Sequence, residues 1–227
     1  MLSRSRRFPH RFKGRTFASL PVASLPVAFL LVAGCDDGAG VEPIATPPEI
    51  TGVTVTDDGG PIFRAIAVDL DRAGGIVVDY AADGAPSLRV EDDAPGDRHE
   101  LFLPRLRAGH TYRYEARSAA EDGTLGEPRS GTFTTAPLPD GLREIQLSTV
   151  GVPTFPLTMV EALAGGVPYF PFVVDEAGYI VWYHESERGS VGFTVLADGA
   201  FVFNVDGGLR VVNLRNEVVA RLDPAVA

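Results

Sequence analysis

The chain has 227 residues, 45% of them hydrophobic, and 30 acidic against 20 basic residues give it a formal net charge of −10. That length can bury the core of one or two domains. The acidic balance repels nucleic acid and anionic lipid, which excludes both as partners of the folded part, and reads as a solvated acidic surface rather than as a cation store.

The charge is unevenly spread. Residues 1–34 contain Arg4, Arg6, Arg7, Arg11, Lys13 and Arg15 and no acidic residue, so residues 35–227 carry a net charge of about −16. The apolar run Leu20–Ala33 is interrupted by Pro21 and Pro26. It is shorter than the roughly 20 residues of a spanning helix and fits the basic and apolar regions of a secretory signal peptide. Leu31-Val32-Ala33-Gly34-Cys35 resembles the lipobox of bacterial lipoprotein signals, in which small residues precede a cysteine that receives diacylglycerol. Cys35 is the only cysteine, so no internal disulfide competes for the thiol. The expectation is a lipidated Cys35 that anchors the protein to the inner or outer membrane of a bacterial envelope. The alternative is an ordinary signal peptide with an incidental cysteine. Asp36 resembles an inner-membrane retention residue. Ser5-Arg6-Arg7-Phe8 resembles a twin-arginine export signal, although Pro9 stands where that motif has an apolar residue.

Residues 35–48, small, polar and proline-containing, read as a flexible tether. Over residues 49–136 the pattern becomes one of short strands with turn residues every eight to twelve positions. Val53 and Val55 alternate with threonines. Ile62, Ile66, Val68 and Leu70 share one parity, as do Ile76, Val78 and Tyr80. Leu88 with Val90, Leu101 with Leu103, and Tyr112, Tyr114 and Ala116 continue the series. Six or seven strands of this kind close a two-sheet sandwich. Leu103–Ala116 (LPRLRAGHTYRYEA) resembles the fibronectin type III family, with Tyr112 at the position of its tyrosine corner, where a phenol caps a loop. Gly131–Pro137 (GTFTTAP) is similar to the last strand of many bacterial members. The resemblance implies a fold and a spacer or docking role. His110 stands at a turn position and reads as structural, and His99 has no second histidine at ligand spacing. Asp92, Asp93 and Asp97 flank Pro95-Gly96 without forming a spaced calcium loop, so they read as an acidic turn. No metal or cofactor is expected.

After a joint at Pro137–Leu142, Arg143–Val150 and Phe155–Leu163 read as strands. Three hairpins come next: Tyr169–Val174 with Tyr179–Tyr183, Phe193–Leu196 with Ala200–Asn204, and Leu209–Leu214 with Val218–Leu222. Regular hairpins of similar length point to a propeller, here about two blades over residues 137–227. The overall expectation is all-β, a fibronectin type III-like sandwich followed by a partial propeller. Phe172–Tyr183 (FVVDEAGYIVWY) resembles the "D-x-x-G-x-[IV]-V-W-Y" strand pair of bacterial arylsulfate sulfotransferase-like proteins. Phe193–Asn204 and Leu209–Val219 are similar to the hairpins that come after it, with Asn213 where aspartate is common. That resemblance implies sulfuryl transfer from phenolic sulfate esters to phenols, with a histidine as transient acceptor and further histidines and an arginine around the sulfate. Those residues come later in the family, so no catalytic residue is carried over. His184 ends a strand and reads as structural. Ser190 lacks a glycine two residues earlier, where Arg188 stands, so it is no nucleophile elbow. A ring of four to eight blades is not complete by Ala227, so the chain reads as truncated before its catalytic residues, the alternatives being that the remainder is supplied elsewhere or that this region folds as a small sandwich. The functional expectation is a lipid-anchored relative of the transferase, inactive alone. The alternative is a non-catalytic surface or periplasmic lipoprotein that binds a protein or glycan. A metallophosphatase is disfavoured because no His/Asp cluster comes after the sandwich.

Overall fold

Alternation of apolar and polar residues dictates strands, and the computed structural model is built almost wholly of them. It describes residues 45–223 apart from 146, 148, 149, 152, 153, 162–170, 186–189, 198, 206 and 207. The expected signal peptide, Cys35, Asp36 and most of the expected tether lie outside the described residues.

The first region contains β1 (Ile50–Asp57), β2 (Arg64–Ala82), β3 (Leu88–Leu103), β4 (Thr111–Ala119) and β5 (Arg129–Thr134). The expected six or seven strands are five because two of them serve both layers. In its first half β2 lies between β1 and the end of β3, with Ile66 opposite Val55 on one side and Leu101 on the other. In its second half β2 lies between the start of β3 and β4, with Val78 opposite Val90 and Ala116. β4 continues the second layer to β5, pairing Tyr112 with Phe133. The chain therefore forms the two layers of a fibronectin type III-like sandwich and turns the corner without breaking the strand. Gly74 stands at that corner, where the pairing of β2 with β3 shifts. A Cβ at Gly74 would lie 2.9 Å from the Ala119 carbonyl oxygen, so only glycine lets the strands approach.

Between the layers Ile50, Ile66, Val68, Leu70, Ile76, Val78, Tyr80, Leu101, Leu103, Tyr112 and Ala116 form one core. All but Ile50, which a register shift before Gly52 turns inward, come from the parity expected of them. Ile62 is missing from this core. It joins Phe63 in a second core, where both are 1% exposed.

Arg143–Val150 is not a strand at its described positions. Pro139, with φ of −55°, leads instead into a single helical turn, α1 (Asp140–Arg143), with Asp140 in its first turn. That turn drives Leu142 into the second core at 1% exposure. Beyond it Leu147 and Val150 are 39% and 96% exposed, so their side chains bury too little to hold a strand. Then come β6 (Leu157–Glu161), β7 (Pro171–Asp175) and β8 (Ile180–Tyr183), followed by β9 (Ser190–Val195), β10 (Phe201–Val205), β11 (Gly208–Val212) and β12 (Val218–Leu222). Of the outer ends of the expected strands, Leu163, Tyr169 and Phe170 lie outside the described residues. The sheets are sequential antiparallel meanders, β6-β7-β8 and β9-β10-β11-β12, two blade-like units.

The meanders pack on each other through aromatic rings. Trp182 lies 4.2 Å from Phe201 and 6.1 Å from Phe203, and its indole Nε1 donates to the Leu214 carbonyl at 3.1 Å. β7 and β8 are buried at every position, because one face meets the other meander and the other meets the sandwich. Phe63 completes the join by stacking on Tyr183 at 5.6 Å. All described residues belong to one compact unit.

Candidate functional site

Two arginines, Arg107 and Arg215, tie the sandwich to the meanders through ion pairs. Asp175 ends β7 and is 8% exposed. Its Oδ1 accepts from the amides of Ala177 and Tyr179, at 3.0 Å each, and Gly178 supplies the left-handed φ of 85° that closes the turn. The aspartate and glycine of the "D-x-x-G" motif thus have a local structural cause. The other oxygen, Oδ2, accepts from Arg107 Nε at 2.7 Å. Arg107 also lies 4.2 Å over the Tyr179 ring. Its backbone is held in turn by the tyrosine corner. The Arg107 amide donates to the Tyr112 hydroxyl at 2.7 Å, and the Thr135 hydroxyl donates to the Arg107 carbonyl at 2.5 Å. The loop capped by Tyr112, as its sequence context suggests, is therefore bolted to the turn of the first hairpin. Both charged side chains are largely buried, at 15% and 6% exposure. Removing one partner of such a pair costs about 3–5 kcal/mol, because the survivor is left desolvated and unpaired.

A second clamp lies on the β11–β12 turn. Arg215 Nη1 donates to Asp58 Oδ2 at 3.0 Å and reaches Glu100 Oε1 at 3.5 Å, with its guanidinium 5.7 Å from the Phe102 ring. Asn216 beside it takes φ of 66°, a conformation asparagine tolerates.

The histidines divide by environment. His99, 3% exposed, sits inside the corner of β2 and β3. Nδ1 bonds Asp92 Oδ2 at 3.0 Å and Nε2 bonds the Gly74 carbonyl at 2.9 Å. A further contact joins Nε2 to the Gly96 carbonyl at 3.2 Å. The Asp92 carboxyl is held below its ordinary value by the His99 hydrogen bond and by the Ala94 amide. Asp92 thus belongs to a strand corner, a role invisible in spacing alone because the partner is seven residues away across a bend. His110 donates from Nδ1 to the Ala108 carbonyl at 2.8 Å and meets Tyr179 edge-on at 5.1 Å. His184 lies parallel to Phe203 at 5.7 Å, and its Nδ1 bonds Asn216 Oδ1 at 2.5 Å. Burial lowers its pKa, so at neutral pH the ring is uncharged, with Nδ1–H donating to Asn216. Ser190 begins β9, while Arg188 and Gly189 lie outside the described residues. No cluster of three potential metal ligands occurs among the described residues.

Two cavities adjoin this join. One, of about 300 Å³, runs past Tyr179, Ile180, Leu142, Ile145 and Leu147. The other, of about 60 Å³, lies between Phe63, Phe102, Arg105, Val181, Trp182 and Phe201. Arg105 has φ of 61°, unusual for a bulky side chain, and its buried Nε meets no acceptor. An unmet buried donor of this kind costs about 1–3 kcal/mol. Nothing in the sequence flagged Arg105, since neither its backbone angle nor the cavity is encoded in local pattern.

No protein-family model matches the chain, and a comparison with curated proteins finds no match. Among solved structures the chain is similar in part to the ones that follow. A myokine structure is 13% identical, with 40% of this chain and 99% of that chain covered and a TM-score of 0.34. The third fibronectin III domain of the human KIAA0343 protein is 15% identical, covering 46% of this chain and 94% of that chain, with a TM-score of 0.34. A family 76 glycoside hydrolase from a bovine Bacteroides thetaiotaomicron strain is 12% identical, covering 40% of this chain and 21% of that chain, with a TM-score of 0.33.

Proposed function

We propose that this chain is an envelope lipoprotein, anchored through acylated Cys35, whose sandwich and meanders form a non-catalytic body that binds a protein or glycan. One observation carries the non-catalytic reading. The arginines beside the hairpin motifs are neutralised inside the frame, Arg107 by Asp175 and Arg215 by Asp58 and Glu100. Sulfuryl transfer needs uncommitted cations around the moving group, because its charge spreads over several oxygens. His99 and His110 are likewise held by carbonyl or carboxylate partners. The cavity of about 300 Å³ beside Tyr179, which is 42% exposed, is at the lower end of the size range of ligand sites.

A second reading rests on the first hairpin. Asp175, Gly178 and Trp182 have the roles expected of a propeller strand pair, which supports kinship with the N-terminal part of arylsulfate sulfotransferase-like proteins. Under that reading, a phenolic sulfate ester is a substrate only of a completed propeller.

Metabolic labelling with a clickable palmitate, followed by intact mass, tests the anchor. The wild-type protein takes up label and Cys35→Ser does not; an unlabelled wild-type protein overturns it. Assay of the same protein with 4-nitrophenyl sulfate and a phenol acceptor tests the non-catalytic body. No release of nitrophenol is expected from this chain by itself, and turnover would overturn the non-catalytic reading.

A further inference from the structure

We infer that the groove beside Tyr179 receives an apolar side chain from a basic segment of a partner protein. The inference rests on the reading of the chain as a binding body, and adds its docking surface and the chemistry of its partner. An engineered cavity of ~150 Å³ holds benzene, so the groove, of about 300 Å³, has room for about one or two apolar side chains. Its wall includes Leu138, Leu142, Ile145, Leu147 and Ile180. Only Arg143 and Tyr179 among the lining side chains carry polar groups. The Arg143 guanidinium is already committed, to the Leu138 carbonyl at 2.9 Å and to Asp140 at 3.3 Å. A sugar needs polar groups placed to fix its hydroxyls, and this wall leaves almost none for it. An apolar side chain needs none. Tyr179 is a rigid landing surface, with Arg107 4.2 Å over its ring and His110 edge-on at 5.1 Å, yet it stays exposed. A ring already held in place loses little freedom when a partner packs on it.

Charge selects the partner. Asp140 and Glu144 stand in the chain on either side of Leu142 and Arg143, and Glu176 belongs to the same turn as Gly178 and Tyr179. All three acids are exposed. Asp140 pairs with Arg143, whereas Glu144 and Glu176 have no ion-pair partner among the described residues. The rim is therefore negative, which favours a basic segment and repels an acidic one, and the net charge of about −16 over residues 35–227 steers the same partner. The groove is also well placed to meet one. The chain enters the sandwich at Pro48, whose carbonyl accepts from Ser118 near the end of β4. The groove adjoins Gly109, just before β4 begins at Thr111. At ~3.3 Å per residue it lies about 23 Å from that entry, at the end of the sandwich away from the tether.

The experiment measures the fluorescence anisotropy of labelled, terminally blocked peptides with the full folded chain at constant ionic strength. The probes are Lys-Lys-Leu-Phe-Lys-Lys, the acidic Glu-Glu-Leu-Phe-Glu-Glu and the polar Lys-Lys-Ser-Ser-Lys-Lys, with chitohexaose as an unlabelled competitor. The first peptide is expected to bind saturably, the acidic one not at all and the serine one at least tenfold more weakly, and chitohexaose should not displace the first. Leu147→Lys puts a cation on an exposed residue of the wall and should weaken binding at least tenfold. Glu144→Lys combined with Glu176→Lys should weaken it at least fivefold. Both variants should keep the parent melting curve, since all three side chains are exposed. Absence of saturable binding, equal binding of the serine peptide, displacement by chitohexaose, or full affinity in either variant would overturn the inference. None of these results bears on catalysis, so a failure here leaves the binding-body reading to the 4-nitrophenyl sulfate assay.

Discussion

Asp175 shows how much one side chain does here. It closes its own turn through two amides and neutralises Arg107 across the join. Asp175→Ala should therefore lower stability by about 3–5 kcal/mol, read from the urea midpoint, because Arg107 is left buried and unpaired. Asp175→Ala combined with Arg107→Met should recover much of that loss; a double variant no better than the single would show that the turn amides dominate. His184 makes stability pH-dependent. Its folded pKa lies below 6.5 because burial disfavours the charged ring. The unfolded chain thus takes up the proton first, and stability that is full above pH 6.5 falls as pH drops below it. Asp79, held low by the Arg89 hydrogen bond, and Asp92, held low by His99, act at lower pH. Their contribution is present above the ordinary carboxylate pKa of about 3.9 and is lost as pH falls through their folded values. Thermal melts from pH 8 to 3 should show both losses, and His184→Gln should remove only the one that sets in below pH 6.5. An unchanged profile in His184→Gln would assign that loss to another group.

At the scale of elements, the unbroken passage of β2 and β3 between the layers depends on their shared corner. Gly74 lets β2 pass the Ala119 carbonyl, and His99 ties the Gly74 and Gly96 carbonyls to Asp92. Gly74→Ala places a carbon 2.9 Å from a backbone oxygen that cannot rotate away. The expected loss is about 1–3 kcal/mol, the usual effect of overpacking, with amide exchange quickened around residues 72–76 and 94–98 before the layer centres. Uniform exchange over the whole sandwich would show instead that the corner is not a separate unit. Much of this level was legible. The period of two identified the inward residues of β2, β3 and β4, because each strand has one face on the core, although it read β2 and β3 as two strands each, and β5 was anticipated by resemblance. The misreadings have physical causes. Arg143–Val150 has strand-like composition, but Leu147 and Val150 stay exposed and α1 forms behind Pro139. Ile62 has the sandwich parity, yet the chain turns before β2 and sends it with Phe63 into the other core.

At the scale of the whole molecule, the sandwich is part of the wall of the second core. Ile62 and Phe63 come from before β2, and Phe102 packs against the same cluster from β3. Phe63→Ala should cost about 3–5 kcal/mol, or roughly 6–20 °C in melting temperature for a chain of this size. Its effect should appear in the Trp182 emission as well as in global unfolding, since both rings border one cavity. A fragment ending at Ala136 bares Ile62 and Phe63 and should melt below the full chain and bind a hydrophobic dye. A fragment as stable as the parent would make the sandwich an independent spacer.

The sequence by itself determined the all-β class, the strand parities of the sandwich and the three hairpins, two of them with glycine turns. These are local: a period, a turn residue and an apolar face suffice. The resemblance at Tyr112 likewise anticipated a phenol capping a loop. Only the tertiary structure decided that this loop grips Asp175, that His99 closes a corner, and that Arg105 lines an apolar cavity. Each of these joins residues far apart in the chain or fixes a backbone angle by its surroundings, and the partner of a buried charge is chosen by packing rather than by spacing.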